Sequence, residues 1–404
     1  MSLVSVIHPF RALRPARGAA PAVSSVPYDV VSTEEARQLA SGNPLSFLHV
    51  TRSEIDLPAG ADPYSPEVYA RAKANLEALR AAAPLIVEDD PSLYFYRLRM
   101  GGHEQTGIAG CFPVDEYERD AIKKHERTRR DKEDDRTRHI VELRAQTGVV
   151  FLTYKASAAV DRVCRAVTSD APLYDFRADD GVHHTIWRVP AAEANALVDA
   201  FAAIPALYIA DGHHRAASAA RARQALHGGE SDTFIAVAFP DDQMQILPYN
   251  RTVKDLAGRT PRQFLDALRA AVPVRDGGAT PSGKGEVAMF LAGQWHALDL
   301  SRLRPEDGSR ASSLDVAKLQ HHVLGPLLNI GDVRTDKRID FVGGARGTAA
   351  LERAVSSGQA AVAFSMHPVT IDDLMSIADQ GGIMPPKSTW FEPKLRDGLL
   401  VHVI

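Results

Sequence analysis

The chain has 404 residues, 45% hydrophobic and 24% charged, enough to bury a large core in two or three domains without disulfides or metals. Its net charge of −4 gives no general attraction to nucleic acid, and Cys111 and Cys164 lack any metal-ligand spacing. No apolar run approaches the ~20 residues of a membrane helix, and Met1 to Phe10 do not read as a secretory signal, so a cytoplasmic protein is expected.

Val4-Ser5-Val6-Ile7 is short and β-prone, and the stretch 11–27, with three prolines and Gly18, reads as a loop. Ser32 or Thr33 can cap a helix carrying Glu34, Glu35, Ala36 and Leu39, because a side-chain oxygen there satisfies free N–H groups. Gly42-Asn43-Pro44 stops it, and Ser46-Phe47-Leu48-His49-Val50 follows as an expected strand. Apolar residues at helical spacing predict a helix over 66–82. A hairpin then pairs 93–98 with 106–112 across Gly101-Gly102.

Residues 114–145 form a very polar stretch expected to be helical. Strands are expected at 149–154 and 185–189, and helices at 156–168 and 190–203. Leu207-Tyr208-Ile209-Ala210 reads as a strand running into Asp211-Gly212, followed by a helix from about 214 to 226 and a strand over 234–239. Beyond 256 the pattern is helix (262–271), strands (286–299), helix (314–328) and a final unit over 339–404. The stretch 276–284, rich in Gly, Pro and Ser, reads as a loop or hinge. There is no internal repeat.

Asp211-Gly212-His213-His214-Arg215 is the most informative segment. An apolar strand ends, glycine permits a tight turn, and a helix begins with His and Arg in its first turn. The first N–H groups of a helix lack internal partners and its dipole makes that end electropositive, which suits an anion. Arg215 can clamp phosphate oxygens, His213 and His214 can donate hydrogen bonds or move a proton, and Asp211 can hold Mg²⁺. The plainer alternative is that Asp211 only caps the helix and the histidines are packed structural groups.

The run from Tyr208 through Asp211-Gly212-His213-His214-Arg215 to Ala217 resembles the phosphate-binding turn of the ParB/sulfiredoxin-like superfamily. More closely, nearly the whole chain resembles the bacterial family catalogued as domain of unknown function 1015, whose relatives include free-serine kinases. Supporting stretches are Phe10-Arg11-Ala12-Leu13-Arg14-Pro15, Val26-Pro27-Tyr28-Asp29-Val30-Val31-Ser32, Asn43-Pro44, and Ser46 to Val50. Others are Lys124-His125-Glu126-Arg127-Thr128, Lys132-Glu133-Asp134-Asp135-Arg136, and Met384-Pro385-Pro386-Lys387-Ser388-Thr389-Trp390-Phe391. The resemblance implies a mixed α/β (α+β) fold with a ParB/sulfiredoxin-like nucleotide-binding core over 1–60 plus 205–255. It also implies an insertion over 61–204 and a C-terminal α/β domain over 256–404. In the partition-protein branch the turn carries a glutamate where this chain has His213, so Asp211 is the better metal candidate. Sulfiredoxin carries its reactive cysteine at that same position, so its chemistry is excluded here. In the serine kinases the turn holds phosphates and a glutamate of the N-terminal helix takes the hydroxyl proton; the local matches are Glu34 and Glu35.

Residues 123–139 carry charges of both signs and read either as a solvated helix or as a lid bringing Lys124, His125, Glu126, Lys132 and Arg136 over a phosphate substrate. Lys387-Ser388-Thr389 follows two prolines and suits a phosphate or carboxylate, although an ordinary rigid turn has the same composition. Asn250-Arg251, after a strand-like run, also reads as a polar site. The H-E-x-x-H, paired-cysteine, G-x-S-x-G and Walker patterns are missing.

Together these readings predict a phosphotransferase acting on the hydroxyl of a small metabolite. L-serine giving O-phospho-L-serine is the leading candidate, with ATP or ADP as donor and Mg²⁺ as cofactor. Its partners would be a nucleotide and a small substrate, with neither membrane nor nucleic acid. A non-catalytic nucleotide switch of the DNA-partition type is a second reading, for which the sequence offers no helix-turn-helix and no basic face. A phosphatase or reverse transferase on a phosphorylated metabolite is a third.

Overall fold

The computed structural model describes residues 6–82 and 85–404; Val4 and Ser5 of the expected first strand lie outside the described residues. The protein is mixed α/β and forms two compact units, Met1–Met244 with Pro393–Ile404, and Gln245–Glu392. Among the described residues no helix is long and apolar enough to cross a membrane. Cys111 and Cys164 are both free thiols.

An eight-stranded sheet organises the first unit. Its order is Ile122–Lys123, Leu207–Asp211, Val150–Tyr154, Thr233–Pro240, His103–Pro113, Tyr94–Met100, His183–Arg188 and Tyr174–Arg177. The expected hairpin is present: Gly101, with φ +58°, turns the chain so that Met100 faces His103. Its centre is apolar on both faces, because Thr233–Pro240 is buried almost from end to end. Ile108, Phe112, Leu152, Ile209 and Phe234 pack there with Leu197 and Phe201 of helix Ala191–Ala202. Half of helix His213–Leu226 is alanine or serine, and Ala216 to Ala220 are buried. Small side chains let helix Arg130–Leu143 come close enough for Ser218 Oγ to donate to the Glu133 carbonyl at 3.2 Å.

A second sheet ties the chain ends together in the order Ile86–Val87, Ala12–Arg14, Val401–Val403, Ala145–Gln146. Leu13 faces Val401 and Val403 faces Ala145, so the last residues of the chain complete the first unit. The second unit is built on an antiparallel sheet of Val274–Asp276, Gln294–Asp299, Glu286–Leu291, Val362–Ser365, Tyr249–Val253 and Ile339–Gly343. Its helix Pro261–Ala271 starts as a capping box, Thr260 with Gln263, and has proline in the first turn.

Three expectations are corrected. Residues 46–50 were expected as a strand, but Leu48–Thr51 is a helical turn. Asn43 Oδ1 accepts from Leu45 N–H and Ser46 Oγ from Leu48 N–H, and these local bonds curl a short apolar run whose period is undetermined by sequence. The charged helix begins at Arg130, not at 123, because Ile122–Lys123 is drawn into the large sheet beside Leu207 and Tyr208. The helix expected over 314–328 is interrupted: Asp315–Leu319 and Gly325–Leu328 flank a wider turn at Gln320–Leu324. Pro326 has no N–H to continue the regular ladder.

The tightness of the sheet core can be tested at Gly107. A Cβ there would lie 2.7 Å from Val237 Cγ1 and 2.8 Å from the Ala238 carbonyl oxygen. Gly107→Ala is expected to lower unfolding free energy by ~1–3 kcal/mol in denaturant titration. A loss of only a few tenths would show that the sheet has room to give.

Candidate functional site

The strand Leu207–Asp211 turns into helix His213–Leu226 through one residue, Gly212, at φ +93° and ψ +30°. Glycine adopts this left-handed conformation without strain, whereas a Cβ at this position would make only ordinary contacts with Arg215 Cδ at 3.4 Å and Val150 Cα at 3.5 Å, so the requirement is conformational. Among the described residues no side chain makes a capping hydrogen bond at the start of this helix. Asp211 does not reach over it: Oδ1 accepts from its neighbour Gly212 N–H at 2.9 Å, and Oδ2 accepts from Lys394 Nζ at 2.9 Å. Burial favours the neutral acid, but the charges of Lys394 and Arg215 outweigh it and hold the Asp211 carboxyl well below the usual carboxylate range. Both oxygens of the carboxylate expected to hold Mg²⁺ are therefore engaged, and a cation there has to compete with Lys394.

Arg215 turns back beneath the helix. Nη1 donates to the Val149 carbonyl at 2.6 Å, and Nη2 donates to both oxygens of Asp29 at 2.7 and 3.0 Å. Its guanidinium lies 5.8 Å from the Tyr28 ring centre, and the Arg136 guanidinium lies 4.3 Å from the same centre. Arg136 is itself paired with Asp135 at 2.9 Å. Tyr28, Arg136, His139, Thr147, Gly148 and Arg215 line a cavity. Gly148 leaves room for Arg215, whose Cδ would be 3.2 Å from a Cβ at that position. Two buried polar atoms in this cluster have no partner among the described residues, Arg215 Nε and Asp397 Oδ2. Asp397 is 2% exposed. Burial, opposed by Arg215 and reinforced by Asp29, pushes its carboxyl up to about 7.

The neighbouring strand brings in the charged segment. Ile122–Lys123 runs parallel to Leu207–Tyr208, so the residues that follow each strand travel side by side. His125 N–H donates to His213 Nε2 at 3.3 Å, Arg129 N–H donates to His214 Nε2 at 3.0 Å, and the His125 and His213 rings meet edge to face at 4.4 Å. Burial pushes His125 down to about 4, and burial with the neighbouring His125 drives His213 well below the usual imidazole value. Both rings are neutral at pH 7. Glu126 is exposed beside them, and one ligand atom from each of His125, Glu126 and His213 falls within 4.8 Å of the others.

The other expected site residues make contacts of their own. Glu35 closes a capping box, its Oε2 accepting from Ser32 N–H at 2.8 Å, and Glu34 pairs with Arg37 at 2.8 Å and with Gln38. Lys124 pairs with Asp120 and donates to the Tyr117 carbonyl at 2.6 Å, while Lys132 donates to Tyr64 Oη at 2.7 Å. In the second unit, Asn250 Oδ1 accepts from Met366 N–H at 2.9 Å and Arg251 Nη2 donates to the Lys387 carbonyl at 2.8 Å. Burial lowers Arg251 to about 10. Lys387 adopts φ +58° with Nζ 5.5 Å from the Tyr249 ring centre, Ser388 Oγ donates to the Pro385 carbonyl at 2.5 Å, and Thr389 is half-buried. Tyr249, Arg251, Lys284, Asp315, His367 and Ser388 border a cavity of that unit.

Sequence reasoning assigned no role to Tyr28, Asp29, Lys394 or Asp397. Tyr28 and Asp29 stand in one of the stretches that carried the family resemblance, which was the available signal. Lys394 and Asp397 meet the turn only through pairing of the chain ends.

Asp397 supplies a test of this electrostatic arrangement. An aspartate in an unfolded chain loses its proton near ~3.9, whereas folded Asp397 keeps it to about 7. Between these values the folded state binds more protons, so this group's contribution falls as pH rises from ~4 and is fully lost above the folded value. Asp397→Asn is expected to gain on the order of 1–4 kcal/mol relative to the native protein across that interval. Parallel stability–pH profiles for the two proteins would rule out a buried acid of this kind.

A family model described as "Protein of unknown function (DUF1015)" matches residues 7–317. No curated protein matches the sequence. Solved structures similar to this chain include SbnI with a C-terminal truncation from Staphylococcus aureus, at 13% identity and a TM-score of 0.41, covering 73% of this chain and 87% of that one. A free serine kinase in complex with AMP is similar at 12% identity and a TM-score of 0.36, covering 72% and 91%. A conserved hypothetical protein from Pyrococcus furiosus is similar at 14% identity and a TM-score of 0.37, covering 73% and 95%.

Proposed function

The chain belongs to the DUF1015 family, and from the site it carries we propose that it is a phosphotransferase acting on the hydroxyl of a small metabolite. The carrying observation is a helix start without a side-chain cap, one turn from Arg215, whose guanidinium shares the Tyr28 ring with Arg136. Phosphoryl transfer needs little covalent help from a protein; it needs the donor held in line and its negative charge neutralised. The N–H groups of His213 and His214 would donate to the donor phosphates, with the helix dipole adding to the attraction. Arg136 and Arg215 would add positive charge in the adjoining cavity, and the Arg215 Nε–H remains for an anionic oxygen.

The resemblance makes L-serine, giving O-phospho-L-serine, the leading reaction, with ATP or ADP as donor on a ParB/sulfiredoxin-like core. The same resemblance gives the proton acceptor as Glu34 or Glu35. Glu34 is the better candidate: its partners are on the surface, while enlisting Glu35 opens the capping box of the helix. Mg²⁺ would be held at Asp211, in competition with Lys394, and would lower the negative charge of the donor phosphates.

The test is phosphate transfer by the purified protein from ATP, ADP or pyrophosphate to L-serine and other hydroxy amino acids, together with donor binding to Arg215→Ala. The native protein is expected to phosphorylate at least one hydroxy amino acid. The variant, if circular dichroism shows it folded, is expected to bind donor at least ~10-fold more weakly, as for loss of a charge-assisted phosphate contact. Unchanged donor affinity in a folded variant would remove Arg215 from the site, and a silent substrate screen would remove the reaction.

A further inference from the structure

We propose that His125, Glu126 and His213 form a binding site for a divalent transition-metal ion of the zinc class. The three residues offer two imidazole nitrogens and one carboxylate oxygen, and one ligand atom from each lies within 4.8 Å of the others. Ligands around a single zinc sit at ~2.0–2.2 Å from the ion, so a small swing of the exposed Glu126 side chain closes the set. Adjacent residues such as His125 and Glu126 can converge here because the chain is not yet helical; the helix begins at Arg130.

The second observation is the state of the His125 ring. The ring is buried, at 2% exposure, and Nδ1 has no partner among the described residues. A metal-binding histidine presents one ring nitrogen to the ion, and the unpartnered Nδ1 is available for that. A bare buried ring nitrogen is otherwise costly.

His213 is compatible with the same ion. Its Nε2 accepts the His125 N–H at 3.3 Å, a long bond that a metal can replace without changing the ring's proton position. Two nitrogens and one oxygen favour Zn²⁺ or Co²⁺ over Mg²⁺ and Ca²⁺, which prefer oxygen ligands alone. Three protein ligands leave a coordination position for water or for a substrate oxygen.

This site shares His213 with the turn of the phosphotransfer reading but includes neither Arg136 nor Arg215, so metal binding without nucleotide tests it separately. The test uses the full chain, stripped with chelator and without nucleotide, titrated with Zn²⁺ by calorimetry and with Co²⁺ by visible d–d absorption. One equivalent per chain is expected, with a rise in Tm on binding. Glu126→Gln, at an exposed position, and His125→Gln are each expected to weaken binding at least ~10-fold, and Asp131→Asn, an exposed acidic residue nearby, is expected to leave it unchanged. Absence of stoichiometric Zn²⁺ and Co²⁺ binding overturns the proposal. So does full native affinity in a folded Glu126→Gln protein that also keeps the native Co²⁺ spectrum. Either failure leaves donor binding at Arg215 to be judged by its own assay.

Discussion

One left-handed residue holds the first unit's site together. Gly212 converts a buried strand into a helix within a single residue, and the direction it imposes decides what each neighbour does. Asp211 is left at the strand end, where Lys394 meets it; His213 is pressed against His125; Arg215 is sent back under the helix toward Asp29. A side chain at 212 would face the conformational penalty of φ +93°. The helix start is therefore open in the chemical sense, because the groups that commonly cap such an end have been drawn elsewhere.

The charges near this turn are largely neutralised within the protein. Arg215 and Asp29, Arg136 and Asp135, and Lys394 and Asp211 are paired, and Tyr28 lies between two guanidinium groups. Buried pairs of this sort contribute more to geometry than to stability, since desolvation offsets much of their attraction. Among the described residues, Arg215 Nε, Asp397 Oδ2 and His125 Nδ1 are buried without hydrogen-bond partners. Buried polar atoms seldom go without partners, so such orphans are where a ligand is best sought.

Much of this was legible in the sequence where the signal is local. The helix Pro66–Ala82, the hairpin around Gly101 and the strand–turn–helix at Gly212 each depend on short-range periodicity or on glycine. Residues 46–50 and 123–129 were misread because tertiary pairing or side-chain bonds to the backbone overrode the local pattern. The ion pairs that shape the site were illegible for a different reason. Arg215 and Asp29 are 186 residues apart, and Lys394 and Asp211 are 183 apart. Charge composition along the chain holds no record of such partners. The histidines stood out by their clustering, but not the parallel strand pair that brings His125 to His213.

The most direct measurement is the backbone amide spectrum of the ¹⁵N-labelled protein during titration with ATP and Mg²⁺. If the helix start receives the phosphates, the amides of Gly212, His213 and His214 shift together and saturate with a single dissociation constant. If those three remain still while resonances elsewhere follow the nucleotide, the phosphates dock at another place and the reading of this turn is wrong.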